Sequence, residues 1–186
     1  NEIPGYTVSL PSGSTTETGG TAFFTVVLNS VPSNTVQLEL SSSDTDEGQI
    51  TAISGSGGSI NSTGTSTLNF SNSNWNSVRT VSVKGQNDSS VDGHQAYTVN
   101  LAINDSNTLD NTFDDLDNQT VLLTNVDDET AGFVISELSG TVSETGTSAV
   151  FSVRLTSEPI TTVTVAAVSD NTTEASVSPS SWQFTT

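Results

Sequence analysis

The chain has 186 residues, of which 21 are Asp or Glu and only 3 are Lys or Arg, so its formal net charge is -18. Such a surface repels nucleic acids and anionic membranes and attracts cations, above all hard divalent ions such as calcium. The sequence has no Cys and no apolar run long enough to cross a bilayer as a helix. We therefore expect no disulfide framework, no nucleic-acid binding and no membrane insertion.

Alternating apolar and polar residues mark a series of half-buried strands. In "AFFTVVL" the side chains of Phe24, Val26 and Leu28 share one face, and "AYTVNLAI" repeats the pattern. Clusters of Gly, Ser, Asn and Asp separate the runs, and no segment keeps helical spacing. The predicted strands are A (6–10), B (21–29), C (36–41), D (67–70), E (79–85), F (95–103) and G (120–126). They predict an all-β fold, a seven-stranded antiparallel Greek-key sandwich of the immunoglobulin-like type.

The sequence repeats itself after strand G. A shift of 127 residues aligns 5–50 with 132–177 and gives 18 identities in 46 positions. Further on, Phe70 aligns with Phe184 at a shift of 114, so the first copy is longer by 127 - 114 = 13 residues. We assign the excess to an inserted Gly/Ser-rich loop near 54–64. The prediction is a complete first module over 1–128 and a second module over 129–186 that contains strands A to D only.

Strands E to G of the second module have no counterpart, and half a sandwich cannot cover its own apolar face. Two explanations remain open. Either the sequence is cut inside a repeat, which we favour, or a neighbouring chain supplies the strands by exchange.

Acidic residues concentrate where the strand directions bring several connections together. With seven alternating strands, the A–B, C–D and E–F connections and the exit of strand G all lie at one pole. These segments hold the carboxylates Glu17, Asp44, Asp46, Glu47, Asp88, Asp92, Asp127, Asp128 and Glu129. Calcium takes about 6–8 oxygen ligands and would offset the repulsion between them. We therefore predict a calcium site at this pole, unless an additional strand between 41 and 67 breaks the parity.

A second acidic cluster lies in the F–G connection, at the opposite pole. Its members are Asp105, Asp110, Asp114, Asp115 and Asp117. The cluster either binds a further ion or is an ordinary solvated loop.

Four stretches of this sequence follow a known family pattern: "TETGGTAFFTVVL", "SETGTSAVFSVRL", "RTVSVKGQNDSSVDGHQAYTVNL" and "VLLTNVDDE". They resemble the Calx-β family, immunoglobulin-like modules found in sodium/calcium exchangers and, as tandem arrays, in large bacterial surface proteins and adhesins. The resemblance covers the first copy and the available part of the second. It implies a seven-stranded sandwich that binds calcium through its distal loops.

At the matching positions, the resemblance implies ligands at Glu17, Asp44 or Asp46, Asp88, Asp92, and Asp127 with Asp128. Two positions depart from the family pattern, because Asn87 and Gln95 stand where strongly binding members carry carboxylates. Fewer ions or weaker binding should follow, in the range of about 0.1–1 mM that is typical of extracellular modules.

These features favour a calcium-binding structural repeat of a large extracellular or cell-surface bacterial protein, adhesin-like, with neighbouring repeats as its partners. Calcium is expected to stiffen the module and the junction between modules. The alternative is a module that binds a carbohydrate or a host protein through the loops at 54–64 or the F–G connection, with Trp75 as the candidate aromatic platform. More simply, Trp75 is a packing residue. An enzyme is not predicted, since the sole histidine, His94, lacks a nucleophile elbow around it.

Overall fold

The structure, a computed structural model, describes residues 3–61 and 65–186. The described residues divide into two units. The first comprises the chain up to Asp88 together with Gly93–Asp128, and the second comprises Ser89–Asp92 together with Glu129–Thr186. Every regular element in these ranges is a strand, which confirms the predicted all-β class.

No helix of sufficient length and apolar character to span a membrane occurs in the described part of the chain.

The described residues of the first unit form ten strands in two sheets. They are β1 (Tyr6–Val8), β2 (Thr15–Thr16), β3 (Thr21–Leu28), β4 (Val36–Ser42), β5 (Gly48–Ser54), β6 (Gly58–Ile60), β7 (Thr65–Phe70), β8 (Arg79–Gly85), β9 (Gln95–Ile103) and β10 (Gln119–Val126). One sheet has the order β1-β3-β8-β5, and the other has the order β2-β10-β9-β4-β7-β6. All pairings are antiparallel except that of β2 with β10.

The predicted number of seven strands is too low, because β2, β5 and β6 were not predicted. β5 and β6 form sheet edges, and most of their side chains are exposed or half-buried, so they lack a clear alternation. The predicted inserted loop at 54–64 contains β6, while its residues 62–64 lie outside the described range.

The two strands β5 and β6 enter as a pair, so the parity of the strand directions survives. β5 runs antiparallel to β8, β6 runs antiparallel to β7, and β7 runs antiparallel to β4. The connections that follow β1, β4 and β8, and the exit of β10, therefore meet at one end of the unit. We call this end the acidic pole.

The core of the first unit lies between its two sheets. Phe24 and Val81 from one sheet and Leu38 and Val99 from the other are fully buried in a single apolar cluster. These side chains occupy alternate positions of β3, β8, β4 and β9, so burial follows the alternation in the sequence.

Away from the acidic pole, the fully buried Arg79 fixes the segment between β7 and β8. Its guanidinium donates to the carbonyl oxygens of Ser77, Asn69 and Asn74 at 2.6, 3.4 and 3.4 Å, and its central carbon lies 4.6 Å from the Phe70 ring centroid. Burial lowers the pKa of Arg79 from its ordinary value.

The second unit contains four short strands, paired two by two. β11 (Phe133–Ile135) pairs with β12 (Val153–Leu155), and β13 (Val163–Ala166) pairs with β14 (Ser181–Phe184), all antiparallel. The Phe151 and Trp182 rings meet edge to face at 5.7 Å. From Glu129 onward, none of the described residues is buried.

Candidate metal centre

Glu17 reaches the acidic pole because the short strand β2 runs alongside the end of β10. Thr15 is in register with Asn125 and Thr16 with Val126. The Glu17 N–H then donates to the carbonyl of Val126 at 3.1 Å. This pairing places Glu17 beside the exit of β10 and leaves its side chain only 3% exposed. A buried carboxylate is unfavourable unless hydrogen bonds or a cation compensate it.

Asp127 connects the exit of β10 to the residues that precede β9. Its Oδ2 accepts the N–H of Gly93 at 2.8 Å, and its own N–H donates to Nδ1 of His94 at 3.2 Å. His94 therefore uses Nδ1 as a hydrogen-bond acceptor, as expected for a residue that orients a loop.

Asn125 is a buried polar residue at the acidic pole that the sequence-based prediction did not include. It is fully buried, and its Nδ2 donates to Oε2 of Glu47 at 3.2 Å and to the carbonyl of Gln86 at 2.9 Å. Within the described part of the chain, its Oδ1 has no hydrogen-bond partner. The sequence alternation does indicate this residue, because Val121, Leu123 and Asn125 occupy alternate, inward-facing positions of β10. A polar side chain on that face requires hydrogen-bond partners.

Tyr97 is a core residue that contacts two residues of the acidic pole, Thr15 and Gly48. Its hydroxyl is 3.0 Å from Oγ1 of Thr15, and the ring packs so closely on Gly48 that a Cβ there would overlap it. Burial raises the pKa of Tyr97 from its ordinary value, the Thr15 hydrogen bond lowers it, and the Glu47 carboxylate raises it further.

Within the first unit, two groups of carboxylates at this pole could contribute ligands to a metal ion. One consists of Glu17 and Asp127, and the other of Glu47 and Asp88. In each group the carboxylate oxygens lie within 4.8 Å of one another. Calcium binds oxygen at about 2.3–2.6 Å, so two oxygens on opposite sides of one ion lie about 5 Å apart, and the spacing fits.

Asp92 and Glu129 lie in the second unit, and three predicted ligands of the first unit, Asp44, Asp46 and Asp128, belong to neither group. Asp44 Oδ1 accepts the N–H of Asp46 at 3.0 Å, which turns that carboxylate toward its own loop, and both residues are exposed. Asp128 is also exposed.

The second acidic cluster contains one residue with a clear structural role. Asp110 is buried and accepts hydrogen bonds from the N–H and hydroxyl of Ser33 at 2.6 and 3.0 Å, and from those of Thr112 at 3.0 and 2.7 Å. Burial alone would raise the pKa of Asp110, but the bonds from Thr112 and Ser33 outweigh it and lower the pKa to about 2.

Asp110→Asn should therefore destabilise the first unit in a pH-dependent way. A carboxylate with a depressed pKa stabilises the fold above its unfolded value of 3.8, and this contribution is lost as the pH falls toward about 2. We expect a loss of about 2 kcal/mol at pH 7, as for hydrogen bonds to a charged group, and a much smaller loss at pH 2. Urea unfolding across this range measures it, with the exposed Asp115→Asn as control. A loss that does not change with pH would contradict the charged role.

Trp75 packs against the core, and its carbonyl accepts the N–H of Leu28 at 3.3 Å. This position favours the packing interpretation over an exposed platform for sugars.

Comparison with known proteins identifies no family. No family model and no curated protein sequence matches the chain. Among solved structures, a chain of a type I cohesin–dockerin complex from Clostridium thermocellum is similar, with a TM-score of 0.43 and 14% identity. The match covers 68% of this chain and 95% of that one. A likeness this distant carries no functional conclusion, and the resemblance to Calx-β modules stays a prediction.

Proposed function

We propose that this protein is a calcium-binding structural repeat of an extracellular or cell-surface bacterial protein, and that calcium stiffens the module at its acidic pole. The observation that carries the proposal is the grouping of carboxylates from separate connections, with the buried Glu17 among them. The role is structural and non-catalytic, with neighbouring repeats as partners.

The donor set supports calcium over other metals. All the candidate side chains offer oxygen, the sequence has no Cys, and Nδ1 of its one His accepts a backbone N–H. Zinc and copper sites usually need sulfur or several imidazoles. Magnesium holds oxygens at about 2.0–2.1 Å in a stricter octahedron, whereas calcium tolerates irregular loop geometry.

The carboxylates that the first unit brings together do not complete a calcium shell, so each ion would also use neutral oxygens. The unpartnered Oδ1 of the buried Asn125 is a nearby neutral oxygen, and loop carbonyls and water could supply others. A bound ion would supply positive charge that joins Glu17 to Asp127 and Glu47 to Asp88. Those pairs bring together segments that are far apart in sequence, so binding would resist their separation.

Thermal unfolding with calcium tests the proposal. With a dissociation constant of about 0.1–1 mM, 10 mM calcium should stabilise the fold by about 1.4–2.7 kcal/mol for each site. That corresponds to a rise in Tm of about 5–10 °C over the same sample in EDTA, with a smaller rise in magnesium.

Matched variants separate a specific site from general charge screening. Glu17→Gln combined with Asp127→Asn should abolish the part of the calcium-dependent rise that the group of Glu17 and Asp127 contributes. Asp105→Asn combined with Asp115→Asn removes the same charge from exposed positions of the second acidic cluster and should keep it. An equal response of both double variants, or no rise in the unaltered chain, would refute the calcium site and direct attention to the loops as a recognition surface.

A further inference from the structure

The second unit repeats the apolar positions of the first but does not bury them. At a shift of 127 residues, Phe133 corresponds to Tyr6, and the two side chains are 54% and 5% exposed. Phe24, Val26 and Leu28 are buried in the first unit, while Phe151, Val153 and Leu155 are half-buried. The same residue types on the same kind of strand therefore remain uncovered.

A groove of about 400 Å³ lies in this uncovered region of the second unit. Its walls include Phe133, Leu155, Pro159, Ile160 and Val163, so the lining is largely apolar. By the repeat alignment, these positions correspond to Tyr6, Leu28, Pro32, Ser33 and Val36 of the first unit.

In the first unit, the connection between β9 and β10 covers the corresponding region. The Tyr6 hydroxyl donates to the carbonyl of Asp117 at 3.0 Å, and the N–H of Leu109 donates to that of Thr35 at 2.8 Å. The Asp110 carboxylate accepts the bonds from Ser33, and Phe113 from the same connection is buried in the core. The first unit thus shows which kind of segment covers the corresponding surface there.

The open strand edges of the second unit also indicate that a β-strand segment would cover this surface. In the first unit β3 pairs with β8 on one side and β4 pairs with β9. The matching strands of the second unit are β12 and β13, and in the described residues they pair only with β11 and β14. Their other edges offer main-chain N–H and C=O groups, which a strand can bind and a small apolar molecule cannot.

We propose that the second unit binds a three-stranded antiparallel segment of the β8–β10 type. Its first two strands pair with the open edges of β12 and β13. Its alternating apolar residues cover Phe151, Val153 and Leu155. An aromatic side chain from its last connection fills the groove, as Phe113 fills the core of the first unit. This interaction does not involve the acidic pole and does not depend on calcium.

The test appends a second copy of residues 71–126 of this chain after Thr186 and follows hydrogen exchange over 129–186 in EDTA. We expect amide exchange in β11 to β14 to slow by at least tenfold relative to the unaltered chain. Binding of a hydrophobic dye should fall at the same time. An appended segment of the same composition in scrambled order should give neither effect.

Two further measurements could contradict the proposal. Replacing the Phe of the appended copy that corresponds to Phe113 with Ala should restore fast exchange mainly around Phe133 and Ile160. Sedimentation of the unaltered chain tests whether two copies cover one another. Protection no better than that of the scrambled segment, or a dimer that already protects 129–186, would overturn the proposal.

Discussion

Phe24→Ala is expected to lower the free energy of unfolding of the first unit by about 3–5 kcal/mol, the usual effect of removing a fully buried ring. Phe151→Ala, at the corresponding position of the second unit, should lower the local stability by about 1 kcal/mol or less. Phe24 is completely enclosed between two sheets, whereas Phe151 is half-buried and touches the edge of Trp182. The stabilisation lost in each case follows the apolar area removed from water.

Native-state hydrogen exchange measures the two effects separately, because peptides from 3–88 and from 133–186 report on different units. The two variants carry the same chemical change in the same local motif, so each is the control for the other. Equal losses at the two positions would show that the second unit buries Phe151 as fully as the first buries Phe24, and would remove the basis for an uncovered face.

This pair also shows where prediction from sequence stops. The motifs around Phe24 and Phe151 share Ala, Phe, Val and Leu at the same spacing, and both were expected to form inward-facing strands. Alternation identifies which side of a strand is apolar, but burial depends on what packs against that side. In the first unit β8, β9 and β10 provide the cover, and the alternation within a motif does not report on such distant segments.

The strands of the first unit were predictable to the extent that they alternate. β3, β4, β8 and β9 are central strands of the two sheets, and their inward side chains are buried at alternate positions. β5 and β6 are sheet edges that pair with β8 and β7, and neither strand alternates regularly between buried and exposed residues, so neither has a clear pattern in the sequence.

The acidic pole was predictable as a location, but not in its internal arrangement. The alternating strand directions place the acidic connections at one end. This alternation is preserved because β5 and β6, which were not predicted, together reverse the chain direction twice. Which carboxylates group together depends on hydrogen bonds within the loops, such as the one between Asp44 and the N–H of Asp46. Asn125 was missed because the prediction considered only charged residues, and Asn125 is a neutral residue near the end of β10.

Gly85→Ala should be among the most damaging single substitutions at the acidic pole. Gly85 is buried at the end of β8, where a Cβ would overlap the carbonyl oxygen of Thr16 and Oδ1 of Asn125. The Thr16 carbonyl belongs to the backbone of β2, and Asn125 is held by Glu47 and Gln86, so neither can move without breaking the local pairing. We expect a loss of about 3 kcal/mol, at the upper end of the usual range for overpacking.

The same substitution links the fold to the proposed metal site. Thr16 immediately precedes Glu17, and Asn125 bonds to Glu47, so displacing either residue moves a carboxylate of one of the two groups. Thermal unfolding of Gly85→Ala should show both a lower midpoint in EDTA and a smaller rise with calcium. Gly13→Ala, at a position where a Cβ meets open space, should change neither value appreciably. If Gly85→Ala lowers the midpoint in EDTA but keeps the full calcium response, the ligands do not depend on the packing of β2 and β10 against β8.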